Sequence, residues 1–425
     1  MKDQTEINNL IDRLFREESG KLIAVLTRLF GAENLDLAED VVQDALTEAL
    51  RSWTDNGIPE NPGGWLYRVA KNKALNILRR EQVRQESSSD VAHFLQSTWT
   101  AQPALEHLFS EKEIQDDQLR MIFTCCHSAI SVDSQIALAL KTLCGFSTSE
   151  IASAFITTEE NVHKRLVRAR KTIRDQQIPF DVPVGAELET RLRAVQETIY
   201  LLFNEGYKAS RGDSLVRLDL AEEAIRLAEM VVEHPSISAK QTTYALLALM
   251  QLNASRFSAR LDQDGNLMTL EHQDRSLWDQ DRIKAGFVSL QKSDPHQFVS
   301  KYHILAIISS YHCAATDFEK TNWMGILHEY DRLLQIDDSS IVRLNRTIVL
   351  SRVEGLDVAL SELEKIKGLD HYQLYHSVKA DFEIRRGEHV RALSSLQKAY
   401  TLTSVPSERA LINERMSHCK KKIEN

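Results

Sequence analysis

Residues 147–174 read STSEIASAFITTEENVHKRLVRARKTIR, and two helix starts follow each other closely within them. Ser147 with Glu150, and Thr157 with Glu160, each fit the spacing in which a hydroxyl accepts from the amide three residues on while the carboxylate reaches back. Ile151, Ala152 and Phe155 give a short helix its inward side, and Val162, Leu166, Ala169 and Ile173 do the same for a longer one. With a turn between them this is a helix-turn-helix, and Ala152 is small where the two helices approach. The second helix turns Asn161, Lys164, Arg165, Arg168 and Lys171 outward, with His163 beside them. Cations reach phosphates and the arginine fork reads guanine edges, so this face suits a DNA major groove. A merely solvated basic face would give the same local pattern, and the sequence upstream weighs against it.

Upstream, residues 35–53 (LDLAEDVVQDALTEALRSW) form a strongly amphipathic helix. Leu37, Val41, Ala45, Leu46 and Leu50 make the expected buried stripe, and Glu39, Asp40, Gln43, Asp44 and Glu48 the other side. Such an acidic face is either plainly solvated or a docking surface for a basic partner. After a turn, NPGGWLYRVAKNKALNILRRE predicts a helix over about 65–80, with a loop at 61–64 before it. Leu66, Val69, Ala70, Ala74, Ile77 and Leu78 face inward, while Arg68, Lys71, Asn72, Lys73, Arg79 and Arg80 face out, with Trp65 and Tyr67 near the start. Cations beside aromatic rings can hold an unpaired strand, the cations on phosphates and the rings on bases.

The ordered series AEDVVQDALTEAL, NPGGWLYRVAKNKALNILRR, a polar linker and NVHKRLVRARKTI resembles the extracytoplasmic-function sigma factors, the small two-domain group of the sigma-70 family. The resemblance implies region 2 over residues 1–82, a linker over 83–109 and region 4 over 110–178. It implies that Asp40, Gln43, Asp44 and Glu48 grip the beta-prime clamp of core RNA polymerase, with the beta flap as a further contact. Asn61, Trp65, Arg68, Asn72, Lys73, Arg79 and Arg80 would melt and read a −10 element. Asn161, His163, Lys164, Arg165, Arg168 and Lys171 would read a −35 element. His163 and Lys164 stand where many members have arginine and serine, which leaves the preferred −35 sequence open.

Composition agrees with an all-α protein of two or three domains. The chain has 425 residues, is 43% hydrophobic and 27% charged, and has only 15 Gly and 8 Pro. A net charge of −9 argues against general coating of nucleic acid, so DNA contact falls to the two short basic stretches. No apolar run approaches the roughly 20 residues of a membrane span, and no signal-peptide pattern opens the sequence, so a cytoplasmic place and no membrane partner are expected. Five cysteines make no disulfide framework. Cys125-Cys126-His127 lacks the C-x₂₋₄-C spacing of a zinc site, and small buried apolar residues are the better account of the thiols. Neither a metal nor any other cofactor is expected.

Residues 187–425 go on as helices, expected at 187–206, 214–234, 237–256, 280–292, 296–315, 322–336, 340–353, 357–367, 372–386, 389–402 and 407–423. Gly387, Ala392, Leu396 and Ala399 are echoed by Gly355, Ala359, Leu363 and Ile366 about 33 residues earlier, close to the roughly 34 of a tetratricopeptide repeat. Ala224, Ala228 and Val231 look like a degenerate earlier copy. Gly206 is expected to cap a helix end, and residues 261–283 to form a long polar loop with a short helix at its end. Asp262, Asp264, Gly265 and Asn266 fail the spacing of a calcium loop. With no nucleophile or base at useful spacing, an enzyme is not expected. The extension also resembles that of the sigma-factor subgroup with a long tetratricopeptide-like C-terminal region.

The resulting expectation is a sigma factor that directs core polymerase to −35/−10 promoters. Its fused helical-repeat domain would regulate it, through the sigma modules or through an unidentified protein. A helix-turn-helix regulator with a ligand- or protein-sensing helical domain is the alternative.

Overall fold

The computed structural model describes residues 4–85, 110–155, 157–207, 218–262, 267–294, 299–403 and 405–424. From residue 86 onward the expected linker lies outside the described residues. Among these, eighteen α-helices account for the regular structure, with short 3₁₀ turns and one isolated bridge between Leu261 and Leu267. The all-α expectation holds. The chain divides into two compact units, Met1–Leu201 and Leu202–Asn425.

In the first unit, α1 (Gln4–Phe30) packs on α2 (Leu35–Asn56) and α3 (Pro62–Gln85). Helix α1 ends where Gly31 takes a φ of 86° and donates its amide to the Thr27 carbonyl at 2.8 Å, a conformation that costs glycine little. The buried side of α2 centres on Ala38, Val42, Ala45 and Ala49. Of the expected stripe Val41, Ala45 and Leu46 are buried, whereas Leu50 is exposed and Leu37 only half-buried. Residues 62–64 are helical, where the sequence suggested a loop. Asn61 caps this start, its Oδ1 accepting from the Gly64 amide at 2.8 Å, and Pro62 at the first helical position forfeits no helical hydrogen bond.

Next come α4 (Glu111–Cys125), α5 (Val132–Thr142), α6 (Thr148–Ala154) and α7 (Glu159–Asp175). The first expected capping box is present: the Ser147 amide donates to Glu150 Oε2 at 2.8 Å and Ser147 Oγ accepts from the Glu150 amide at 3.1 Å. The second start is displaced by one residue. Thr158, not Thr157, accepts from the Asn161 amide, at 3.2 Å, while Thr157 Oγ1 accepts from the Asn161 side chain. Val162, Leu166, Ala169 and Ile173 are buried as read, whereas Phe155 is only half-buried. Cys125 and Cys126 are buried, and burial pushes the Cys126 thiol up to about 12. They behave as small apolar groups.

Helix α1 also packs on α4 and α5, and the 3₁₀ turn Ala32–Asn34 packs on α7. The two N-terminal modules are thus in direct contact. At Gly20 an added Cβ would lie 2.2 Å from the Leu143 carbonyl oxygen, so only glycine permits this approach. Helix α8 (Ala186–Tyr207) follows, and the unit boundary falls inside it. Its buried Arg191 donates from Nη2 to the Phe123 carbonyl at 2.8 Å, and Thr198 donates to Gln135 at 3.2 Å. Gly206, expected as a cap, lies within α8 because the helix runs one residue further, to Tyr207.

The second unit continues with α9 (Leu218–Glu233), α10 (Gln241–Ala254), α11 (Gln280–Lys292), α12 (Lys301–Ala314), α13 (Trp323–Leu334), α14 (Ser340–Val353), α15 (Leu356–Glu364), α16 (Gln373–Arg385), α17 (His389–Leu402) and α18 (Pro406–Glu424). From α12 onward each helix packs on the next. Gly355 and Gly387 turn the chain into α15 and α17 with φ of 96° and 80°. Ala359 with Leu363, and Ala392 with Leu396, are fully buried behind them. The one-residue offset between the copies arises because α15 starts directly after Gly355, whereas Glu388 intervenes before α17. In the expected polar loop, Arg275 donates to the carbonyls of His312 and Ala315 at 2.6 and 2.7 Å and lies over the Trp278 ring. That arrangement makes it a strut. Asp264, Gly265 and Asn266 lie outside the described residues.

Candidate polymerase and nucleic-acid interface

Helix α7 presents Asn161, His163, Lys164, Arg168 and Lys171 to solvent on one cationic face. Lys164 pairs with Glu160 at 2.7 Å, one turn earlier. Such an exposed pair is worth well under about 1 kcal/mol, so it yields to a phosphate. Arg165 differs: it is half-buried and donates to Asp133 at the start of α5, at 3.0 Å. Its guanidinium braces the helix-turn-helix as well as bordering the cationic face.

On α3, Arg68, Asn72, Arg79 and Arg80 are exposed, while Trp65 is half-buried with its ring edge-to-face on Trp53, centroids 5.5 Å apart. Tyr67 is turned away from this face, its hydroxyl donating to Glu18 Oε2 at 3.0 Å. Burial and the Glu18 charge push that hydroxyl's pKa up, so it stays a donor. On α2, Asp40, Gln43, Asp44 and Glu48 are all exposed. Lys73 of α3 pairs with Glu48 of α2 at 3.0 Å. The acidic face and the basic helix therefore meet along one edge.

Glu39, read with the solvated acidic side, is instead 6% exposed. Its Oε2 accepts from Arg170 Nη2 at 2.6 Å, and Arg170 Nε lies 2.8 Å from Asp36 Oδ1. Burial raises the Glu39 pKa against the opposing pull of Arg170. The sequence reading passed over Arg170 and Asp36. The available signal was that Arg170 falls four residues after Leu166, on the buried stripe of α7, where an arginine needs an acid. At a second junction of the modules, Arg28 of α1 pairs with Glu113 and lies 3.5 Å from Asp117, both on α4. Asp117 is fully buried and also pairs with Arg120, and burial pushes its carboxyl up to about 6.

Among the described residues no cluster of His, Cys, Asp and Glu could hold a metal ion, and no helix is long and apolar enough to cross a membrane. A helix-turn-helix with a cationic second helix, a basic helix with an aromatic start and an exposed acidic helix together have the character of a helical DNA-binding protein. The sigma-70 region 2 model matches residues 14–84 and the sigma-70 region 4 model residues 120–173. The chain is 30% identical over 142 residues to the ECF RNA polymerase sigma-E factor of Escherichia coli (strain K12), covering 33% of this chain and 74% of that one. The same identity and coverage hold for the sigma-E factor of Salmonella typhimurium (strain LT2). An uncharacterized protein of Rhizobium meliloti (strain 1021) is 33% identical over 397 residues, 93% of this chain and 92% of that one. Residues 191–294 match a family of unknown function, DUF6596. No solved structure matches the chain.

The chain belongs to the extracytoplasmic-function sigma factors of the sigma-70 family. It is a bacterial DNA-binding protein of transcription initiation that acts with core RNA polymerase.

Proposed function

We propose that this sigma factor makes no covalent change itself and directs core polymerase to −35/−10 promoters through the residues named above. Asp40, Gln43, Asp44 and Glu48 meet the beta-prime clamp, with the beta flap as a second contact. Asn61, Trp65, Arg68, Asn72, Lys73, Arg79 and Arg80 hold the −10 strand, and the α7 face reads the −35 duplex. Working with the polymerase places the protein in the cytoplasm. The exposure of the acidic residues on α2 and of the cations on α3 and α7 supports this reading. Charge complementarity, which sets register and encounter rate, needs accessible groups.

Regulation by the fused C-terminal region is part of the same proposal. One observation carries it: Arg191 and Thr198, inside the segment matched by the family of unknown function, hydrogen-bond to α4 and to Gln135 of α5. A change that moves α8 therefore disturbs the support of the helix-turn-helix. A core-polymerase pull-down with the full chain tests the first part, since Asp40→Lys with Asp44→Lys should abolish retention. Retention at the wild-type level would contradict the clamp assignment. For the second part, promoter-specific transcription is compared between the full chain and a chain ending just after Tyr207, which keeps α8. A changed level supports regulation by the extension, and equal levels under all conditions refute it.

A further inference from the structure

A cavity of about 530 Å³ lies within the second unit, bordered by α14, α16 and α18. That size is ordinary for a small-molecule site, roughly 300–1,000 Å³. Its walls are apolar and aromatic, with Phe318, Trp323, Ile348, Leu374 and Phe382 among them, and residues 267–272 close one side. The charges at its rim are unevenly paired. Arg352 is balanced by Glu271 at 2.7 Å, and Glu408 hydrogen-bonds Thr403 at 2.5 Å. Arg385 and Arg415, however, share one carboxylate. Asp381 stands 3.7 Å from the first and 3.6 Å from the second, beyond hydrogen-bond reach of both. Arg385 has one further hydrogen bond, to Ser351 at 3.1 Å. At this end of the cleft two guanidiniums meet one acid and keep forked donors to spare, while Glu408, held by a neutral hydroxyl, balances the charge of the lining as a whole.

We propose that this cavity is a ligand site for a small organic anion. Its apolar or aromatic body lies in the cleft, and one carboxylate-like group bridges Arg385 and Arg415. A neutral body alone would leave the guanidinium donors unmet, and a second anionic group would face the carboxylates of Asp381 and Glu408. A charge-assisted bidentate contact there is worth about 1.5–3 kcal/mol, roughly tenfold or more in affinity. The assignment stands apart from what the extension regulates, because binding is read directly.

The probes are two naphthalene dyes titrated into the full chain: the monoanionic 1-anilinonaphthalene-8-sulfonate and its neutral parent N-phenyl-1-naphthylamine. The expected result is one saturable site that prefers the anion by roughly tenfold. The preference disappears in the Arg385→Gln/Arg415→Gln variant and is kept in Arg385→Lys/Arg415→Lys. Ser377→Trp, which fills the cleft, removes both dyes. Absence of a saturable site, equal affinity for the two dyes in the unaltered chain, or an anion preference that survives Arg385→Gln/Arg415→Gln would each overturn the assignment.

Discussion

Arg170, on the helix that carries the exposed cations of α7, donates from Nη2 to Oε2 of Glu39 on the acidic helix of the other module, at 2.6 Å. Both side chains are largely withdrawn from water, and Glu39 Oε1 accepts no hydrogen bond. The pair is therefore not a cheap surface contact. Burying the two charges costs several kcal/mol, recovered only while they face each other. Arg170→Gln strands the carboxylate and should destabilise the contact of α7 with α2 by about 3 kcal/mol. Glu39→Gln with Arg170→Gln should cost less than the sum of the single changes. Hydrogen exchange of the α2 and α7 amides across this double-mutant cycle measures the coupling, and additive effects would refute it.

Gly20 gives a prediction whose sign discriminates. In an unhindered helix interior, Gly→Ala stabilises by about 0.5–1 kcal/mol. Here the new methyl would meet the backbone of Leu143, which cannot swing aside. Gly20→Ala should therefore destabilise the packing of α1 on α5, by about 1–3 kcal/mol. Urea-dependent exchange of the α5 amides reads this directly, and a gain in protection would disprove the close approach.

Asp117 makes the same interface sensitive to pH. Its carboxyl is pushed up to about 6, chiefly by burial, with Arg28 and Arg120 pulling the other way. In the unfolded chain an aspartate titrates near about 4. The folded form therefore binds the proton more tightly, and the stability this gives is full below about 4 and lost as pH rises through about 6. Between pH 7 and pH 5 the unaltered protein should gain about 1 kcal/mol relative to Asp117→Asn. A difference that stays flat, or grows with rising pH, would contradict the buried carboxyl. Referring to the variant removes the opposite contributions of His303 and His312, whose pKa values burial lowers.

Arg191 tests the support that α8 gives to the helix-turn-helix. Arg191→Met keeps the aliphatic stem but leaves the Phe123 carbonyl without this donor, at a cost of about 1–3 kcal/mol. The loss should appear as faster exchange in α4 and α5. Unchanged exchange there would separate α8 from region 4.

Helices were legible wherever the apolar period was strong. Those expected at 280–292, 340–353 and 389–402 have the same bounds in the structure. The exposed acids of α2 and the cations of α7 were legible too, because a solvated charge needs no partner to be inferred. What escaped notice was set by contacts distant in sequence. Glu39 looks like its neighbours on α2 until Arg170, 131 residues later, is placed against it. The α2 stripe was right at Val41, Ala45 and Leu46 and missed at Leu37 and Leu50, because the buried side also takes in Ala38, Val42 and Ala49. Likewise nothing local marks Gly20 as a contact with Leu143.

Run-off transcription with purified core polymerase and the full chain tests the central claim most directly. On a promoter the chain serves, transcripts should start at one defined site. That start should be lost with Asp40→Lys/Asp44→Lys, with Asn72→Ala and with Arg168→Ala, while core polymerase alone gives no such start. If the chain bound a palindromic duplex tightly without polymerase and core polymerase gained no defined start from it, the sigma-factor account would be contradicted.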